Sequence, residues 1–282
     1  ANYNRSFDPL RAALQGRDAW ILVLDTRGIN VWCAAGKGTF GTEELVHRVE
    51  RTGLTDIVSH RMLIVPQLGA PGVSASEVEK QSGFRVIYGP IRAQDIPDYL
   101  DAGMEATSQM RRVEFPLRDR LVLTPAELVQ GLKYAAAVFV LMALLGGLDG
   151  SGYSAAAVLA RLPAAGVLAG AGLFGGAFLT PALLPWLPGR AFTLKGGTIG
   201  LFLGGLCWLS GMPGLSPAAA VPGMLSSLLI VGSLSAFLGM KFTGCTPYTS
   251  ISGVEKEVRY ALPFQIGGCA AGVLVWGLAG IL

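Results

Sequence analysis

The chain has 282 residues, 51% of them hydrophobic and only 15% charged, with a formal net charge of +3. So small a charge, with the basic residues gathered beside apolar runs, excludes a nucleic-acid-binding protein. Its four cysteines, Cys33, Cys207, Cys245 and Cys269, show no Cys-x-x-Cys spacing, which argues against an iron–sulfur cluster or structural zinc site in this chain.

The averages conceal two unlike halves. Charges are frequent through Arg120; from about Leu128 they nearly vanish, apart from short clusters between long apolar runs. This predicts a soluble α/β domain over residues 1–124 and a membrane domain over residues 125–282. No charged-then-apolar leader stands ahead of the soluble half, so its export is not expected.

In chain order, the soluble half alternates strand and helix signals. Trp20–Asp25 reads as a strand, and Asn30–Lys37 as a short Ala-rich helical turn carrying Cys33. Thr42–Arg51 reads as a helix with Thr42 as its N-cap. Asp56–Ser59 and Met62–Pro66 are strand candidates. Ser74–Ser82 is a helix whose Ser74 and Glu77 have capping-box spacing. Phe84–Tyr88 is a further strand and Ile96–Ala102 a further helix. Such alternation predicts a Rossmann-like, mostly parallel sheet with helices on both faces. Ligands of these sheets sit beyond the C-terminal strand ends, where Cys33 and the loops Gln67–Val73 and Tyr88–Arg92 fall.

Five apolar segments follow: Val129–Leu148, Pro163–Trp186, Gly196–Gly211, Ala218–Met240 and Leu262–Leu282. Most approach the roughly 20 residues that span hydrocarbon. Arg111, Arg112, Arg118 and Arg120 precede the first segment. Arg190 and Lys195 lie in the second connection, and Lys241, Lys256 and Arg259 in the fourth, while the first holds only Arg161. The positive-inside rule then predicts an all-α bundle of five helices in the cytoplasmic membrane, with the soluble domain cytoplasmic and the C-terminus outside. Glycine pairs four apart, such as Gly172/Gly176, Gly196/Gly200 and Gly268/Gly272, predict close helix packing within one chain rather than a dimer surface. The near absence of ionisable residues inside the segments argues against a transporter and for an anchor.

The stretch Asn30-Val-Trp-Cys-Ala-Ala-Gly-Lys37 carries the functional reading. A helix start and Lys37, four residues on, place positive charge beside the Cys33 sulfur, a strong ligand for soft or transition metals. All eight residues match the signature of the corrinoid protein of microbial mercury methylation, and the chain resembles that family. The resemblance implies a Rossmann-like corrinoid-binding domain in which this segment forms a cap helix beneath cobalamin or a related corrinoid. Cys33 would be the lower axial cobalt ligand, and Asn30, Val31, Trp32, Ala34, Ala35, Gly36 and Lys37 would shape the surface against the macrocycle. The small Ala34, Ala35 and Gly36 would admit a flat ring.

The loops holding Gln67, Leu68, Gly69 and Ala70, and Tyr88, Gly89, Pro90 and Arg92, follow strands, and their Gly and Pro let backbone amides approach a ligand. Both resemble the corrinoid domain of the large subunit of the corrinoid iron–sulfur protein of acetyl-CoA synthesis. Arg92 is a candidate for a cofactor phosphate or propionamide edge, or for Asp95. His47 and His60 are the only histidines; neither lies in an Asp-x-His-x-x-Gly pattern, which fits a site that uses sulfur. Phe242–Gly253 also resembles corrinoid proteins of this group, and its Cys245 is a candidate metal relay or an inert thiol. Cys207 and Cys269 read as small hydrophobes.

Mercuric ion is an electrophile, so its methylation needs a methyl group of carbanion character, and the resemblance implies that the corrinoid supplies it. It also implies partners: a two-cluster 4Fe–4S ferredoxin-like protein as reductant and Hg(II) donor, and a methyl donor protein or methyltetrahydrofolate enzyme. A membrane-anchored corrinoid methyl carrier of one-carbon metabolism, with a non-mercury acceptor, is the alternative.

Overall fold

Two short runs rich in β-branched residues, Met62–Pro66 (β1) and Arg85–Gly89 (β2), pair in parallel, from Met62 opposite Arg85 to Pro66 opposite Gly89. They belong to the first of two units, Ala1–Glu114 and Phe115–Leu282, into which the computed structural model divides. It describes residues 2, 4–211, 219–246 and 251–282.

In the first unit the helices are α1 (Asn4–Ala13), α2 (Val31–Gly36), α3 (Thr42–Arg51), α4 (Leu54–Ile57), α5 (Ala75–Ser82) and α6 (Ile96–Asp101). Ser74 caps α5, its hydroxyl accepting from the Glu77 N–H. The cap of α3 is Gly41 rather than Thr42, because the Thr42 hydroxyl is taken by the Ser74 N–H at 2.9 Å. Leu24, Ala34, Phe40, Leu45, Val46, Val65, Val73, Val78 and Val86 form one buried cluster between the strands and helices. Each fully buried Val or Leu contributes about 1.5–3 kcal/mol of transfer free energy.

The sheet is narrower than the alternation predicts. Residues 20–25 run without a ladder among the described residues, although from Leu22 onward their side chains alternate as a strand's do. Leu22 and Leu24 face the core and Val23 and Asp25 face out, whereas Trp20, on the parity of Leu22, is 69% exposed and falls outside the alternation. The Asp25 N–H donates to the Glu44 carboxylate instead of a neighbouring strand. The expected strand Asp56–Ser59 is also displaced, because Gly53 enters the left-handed region (φ 59°) and starts the single turn α4.

The second unit contains five helical stretches long and apolar enough to cross a membrane. These are α7 (Leu117–Leu145); α8 (Ala155–Phe174), which runs through a π turn, Gly175–Leu179, into α9 (Thr180–Leu183); α10 (Phe192–Leu209); α11 (Ala220–Lys241); and α12 (Ile251–Leu278). A two-residue hairpin, β3 (Leu148–Asp149) and β4 (Gly152–Tyr153), joins α7 to α8. Large apolar side chains on the outer faces, among them Val129, Phe202, Leu209, Phe264 and Leu274, are exposed, as they are in a protein whose solvent there is lipid. The chain is a membrane protein.

The first helix begins earlier than expected, at Leu117, because its polar opening turns are anchored. Arg120 is buried and donates to the carbonyls of Pro181 and Ala182, at 2.9 and 2.7 Å, satisfying acceptors at the end of α9. Arg161 and Lys195, expected in connections, lie within α8 and α10. Glycine governs the packing, as expected. A Cβ on Gly196 would stand 2.5 Å from the Ser235 carbonyl oxygen, and one on Gly200 would stand 2.6 Å from that of Val231. One on Gly176 would stand 2.7 Å from the Ser235 oxygen, so α8, α10 and α11 meet backbone to backbone. The Ser235 hydroxyl donates to the Gly196 carbonyl at 2.7 Å. Gly170, Gly205 and Gly267 do not take part, each having open space around it.

A fork links two distant parts of the first unit. Arg17 donates through both terminal nitrogens to the two oxygens of Asp101, each at 2.7 Å. That bond holds the Asp101 carboxyl below its ordinary value of 3.8. With a folded pKa below the unfolded one, the contribution is complete above about pH 4 and disappears as pH falls through the lowered folded value. In an NMR titration, the Asp101 carboxyl is expected to titrate lower in the parent than in Arg17→Gln; coincident midpoints would show that the fork does not hold in solution.

Candidate cofactor-binding site

The approach to Cys33 is a tight turn. Thr26 accepts at its carbonyl from the Ile29 N–H at 3.1 Å, and Arg27 and Gly28 both have positive φ (54° and 77°), the signature of a type I′ turn. The Thr26 hydroxyl donates to the Ile29 carbonyl, and the Asn2 amide donates to the Thr26 hydroxyl at 2.9 Å. The chain then reaches Asn30 in extended conformation, and the Asn30 side-chain oxygen accepts the Cys33 N–H at 2.8 Å, capping α2.

Helical spacing divides α2 into two faces. Val31, Ala34 and Ala35 point inward; the two alanines are buried, and Val31 packs against the core cluster. Cys33, Gly36 and Lys37 share the other face. Cys33 and neighbouring Trp32 are half-buried, and Gly36 and Lys37 are exposed. Cys33 is a free thiol.

Ala34 and Ala35 lie in the core cluster, on the side of α2 away from Cys33. A Cβ on Gly72 would stand 2.9 Å from the Ala35 Cα and would collide with the Phe40 carbonyl oxygen. The loop backbone lies directly on α2, and only small residues fit on either side. Phe40 fills the space beneath, with its ring against Gly69, where a Cβ would stand 2.6 Å away. The Thr42 N–H donates to the Gly72 carbonyl at 3.1 Å, and the Phe40 N–H to that of Ala34 at 3.1 Å.

The two loops singled out in the sequence converge on this support. Gln67–Gly69 forms one 3-10 turn directly after β1. The Tyr88 hydroxyl donates to the Val73 carbonyl at 2.6 Å, tying β2 to the end of the Gln67–Val73 loop. Gln67, Leu68, Ala70, Tyr88 and Arg92 are half-buried, whereas Gly69, Gly89 and Pro90 are interior and serve packing. A Cβ on Gly89 would meet the Ile64 side chain at 2.7 Å. Arg92 donates to the Glu114 carbonyl at 3.3 Å rather than serving only as a partner for Asp95.

Sequence reasoning missed Phe40 and Arg111. Phe40 is a lone large hydrophobe between Gly38 and Gly41, a spacing that signals a side chain plugged beneath a turn. Arg111 donates to the Gln67 side chain at 2.6 Å, a pairing that spans 44 residues and leaves no local trace. His47 and His60 are exposed. Cys207 and Cys269 are half-buried against an apolar cluster in the second unit, as expected of small hydrophobes. The side chain of Cys245 and residues 247–250 of the Phe242–Gly253 loop lie outside the described residues.

Among the described residues no three His, Cys, Asp or Glu side chains converge as a metal site. A metal at Cys33 would thus draw at least part of its ligand set from outside these side chains. That requirement suits a metal already held in a macrocycle, which needs only one axial donor.

Residues 13–100, which include α2 and both loops, match the family model of the CO dehydrogenase/acetyl-CoA synthase delta subunit. Among individual relatives, subunit gamma of the acetyl-CoA decarbonylase/synthase complex of Methanothermobacter thermautotrophicus is 32% identical over 102 residues, covering 36% of this chain and 22% of the relative. The subunit of the same name from Methanopyrus kandleri is 32% identical over 84 residues, 30% of this chain and 18% of the relative. That from Archaeoglobus fulgidus is 31% identical over 86 residues, with the same two shares. The chain therefore spans about a fifth of the length of these curated relatives. No solved structure matches it.

Gly72→Ala is expected to destabilise the first unit by about 2 kcal/mol, because a methyl group there displaces backbone rather than a flexible side chain. Urea unfolding followed by the near-ultraviolet signal of Trp20 and Trp32 measures it. An unchanged midpoint would mean that α2 is not held by that contact.

Proposed function

We propose that the chain is a membrane-anchored, corrinoid-dependent methyltransferase that delivers a methyl group to Hg(II), with the Cys33 sulfur as lower axial ligand of cobalt. The observation that carries this reading is the setting of Cys33: one soft donor on the outer face of a short helix capped by Asn30. The Asn30–Lys37 octapeptide supports the mercury acceptor, and the family match over residues 13–100 supports corrinoid methyl transfer.

In this reading the chain's residues present and steady one sulfur. Asn30 fixes the first turn of α2 through the Cys33 N–H. Ala34 and Ala35 are buried, and the Gly72 backbone lies against Ala35, so that Cys33 is on the outward side of the helix. Trp32, Gly36 and Lys37 border the sulfur, and Gln67, Leu68, Ala70, Tyr88 and Arg92 provide the adjoining rim. A corrinoid bound there supplies a methyl group able to leave with its electron pair, the polarity that an electrophilic mercuric ion requires. The Cys33 sulfur would be the donor through which the protein tunes a metal bound there.

Reduction falls to a separate two-cluster ferredoxin-like protein, which also carries Hg(II) on its thiols, and methyl supply to a donor protein or methyltetrahydrofolate enzyme. The five apolar helices hold the first unit at the cytoplasmic face of the cytoplasmic membrane, by the distribution of Lys and Arg between segments. A second reading, a methyl carrier of one-carbon metabolism with a non-mercury acceptor, is favoured by the relatives' names, each a subunit of the acetyl-CoA decarbonylase/synthase complex.

The purified full chain, reconstituted with cobalamin, is expected to show a corrinoid absorption band that shifts in Cys33→Ala. Methylmercury formation should be lost in the same variant while membrane insertion is retained. Normal methylmercury formation by Cys33→Ala would remove the sulfur from the mechanism. A shifted band with no mercury product in the parent would favour the carrier reading.

A further inference from the structure

We propose that Lys133 and Lys241, converging on the ring of Tyr134, form a binding site for the phosphodiester headgroup of an anionic phospholipid. The two ammonium groups come from different helices, α7 and α11, and stand 5.0 and 5.2 Å from the centre of that one ring. Tyr134 is held in place from the other helix as well, packing edge-to-face on Phe237 with ring centres 4.9 Å apart.

Lys133 occupies an unusual position. On α7 it shares a face with Val129, Ala136 and Val140, with Leu132 at the edge of the stripe, and Val129 (75%), Leu132 (58%) and Val140 (52%) are exposed. In a helix long and apolar enough to cross a membrane, that stripe faces acyl chains, and a lone ammonium within it must reach toward the interface. It reaches the ring beside Lys241, which ends α11. Two like charges thus flank one ring near the hydrocarbon margin, and no carboxylate pairs with either among the described residues, where the ion pairs involve Arg11, Arg17 and Arg48.

An aromatic face attracts each cation but cannot neutralise either. A phosphodiester does: its anionic oxygens accept from both ammoniums, and its acyl chains lie along Val129, Leu132, Ala136 and Val140. A free phosphate ion would satisfy the charges without using the apolar stripe, so lipid is the ligand that accounts for both features. The inference does not depend on the cofactor reading.

Native mass spectrometry of the full chain in detergent, with phosphatidylglycerol or phosphatidylcholine added, tests it. The parent is expected to retain phosphatidylglycerol in preference to phosphatidylcholine, and Lys133→Ala and Lys241→Ala each to lower that retention about fivefold, with Lys133→Arg restoring it. Lys133 is exposed, so its alanine variant keeps the fold, and unaltered helicity by circular dichroism checks this. Equal retention by parent and both alanine variants would overturn the site. So would thermal stabilisation by inorganic phosphate equal to that by phosphatidylglycerol, which would make the ligand a free anion.

Discussion

The contact between the Gly72 backbone and Ala35 is the constraint on which the candidate site rests. A helix of six residues closes too few hydrogen bonds to persist alone, so α2 needs outside support at both its end and its side. Asn30 supplies the first through the Cys33 N–H, and the Gln67–Val73 loop supplies the second by lying against Ala35 and Phe40. Everything said of Cys33 follows from this support. It fixes which residues of α2 turn inward, and the thiol faces outward because the alanines cannot.

The same device recurs in the membrane unit. Apolar side chains gain nothing by leaving lipid for one another, so helices there associate where their backbones can come close. Gly176, Gly196 and Gly200 bring α8 and α10 against the carbonyls of Ser235 and Val231 on α11, and the Ser235 hydroxyl closes the junction with a hydrogen bond. Arg120, near the start of α7, donates to the Pro181 and Ala182 carbonyls. Lys133 stands apart from that pattern, which is why an anionic ligand from the surrounding lipid is inferred there.

Local signals in the sequence were legible and non-local ones were not. β1 falls on Met62–Pro66 and α3 on Thr42–Arg51, as their residue patterns predict, and Ser74 caps α5 because its spacing to Glu77 is a short-range rule. Residues 22–25 kept the alternation of a strand, but alternation reports only which side chains face the core; whether a backbone finds a ladder depends on distant partners, here Glu44. The displaced strand at 56–59 turns on the positive φ of one glycine, Gly53, which sequence alone does not reveal.

The candidate site was legible in its centre and less so in its roles. The octapeptide located Cys33 and its capping Asn30, yet it could not show that the Gly72 backbone, 37 residues on, lies against the backbone of Ala35. Cobalt K-edge absorption of the full chain loaded with cobalamin tests the central claim most directly. One sulfur neighbour of cobalt in the parent, absent in Cys33→Ala, is the predicted result; a first shell holding only nitrogen and oxygen in both proteins would contradict it.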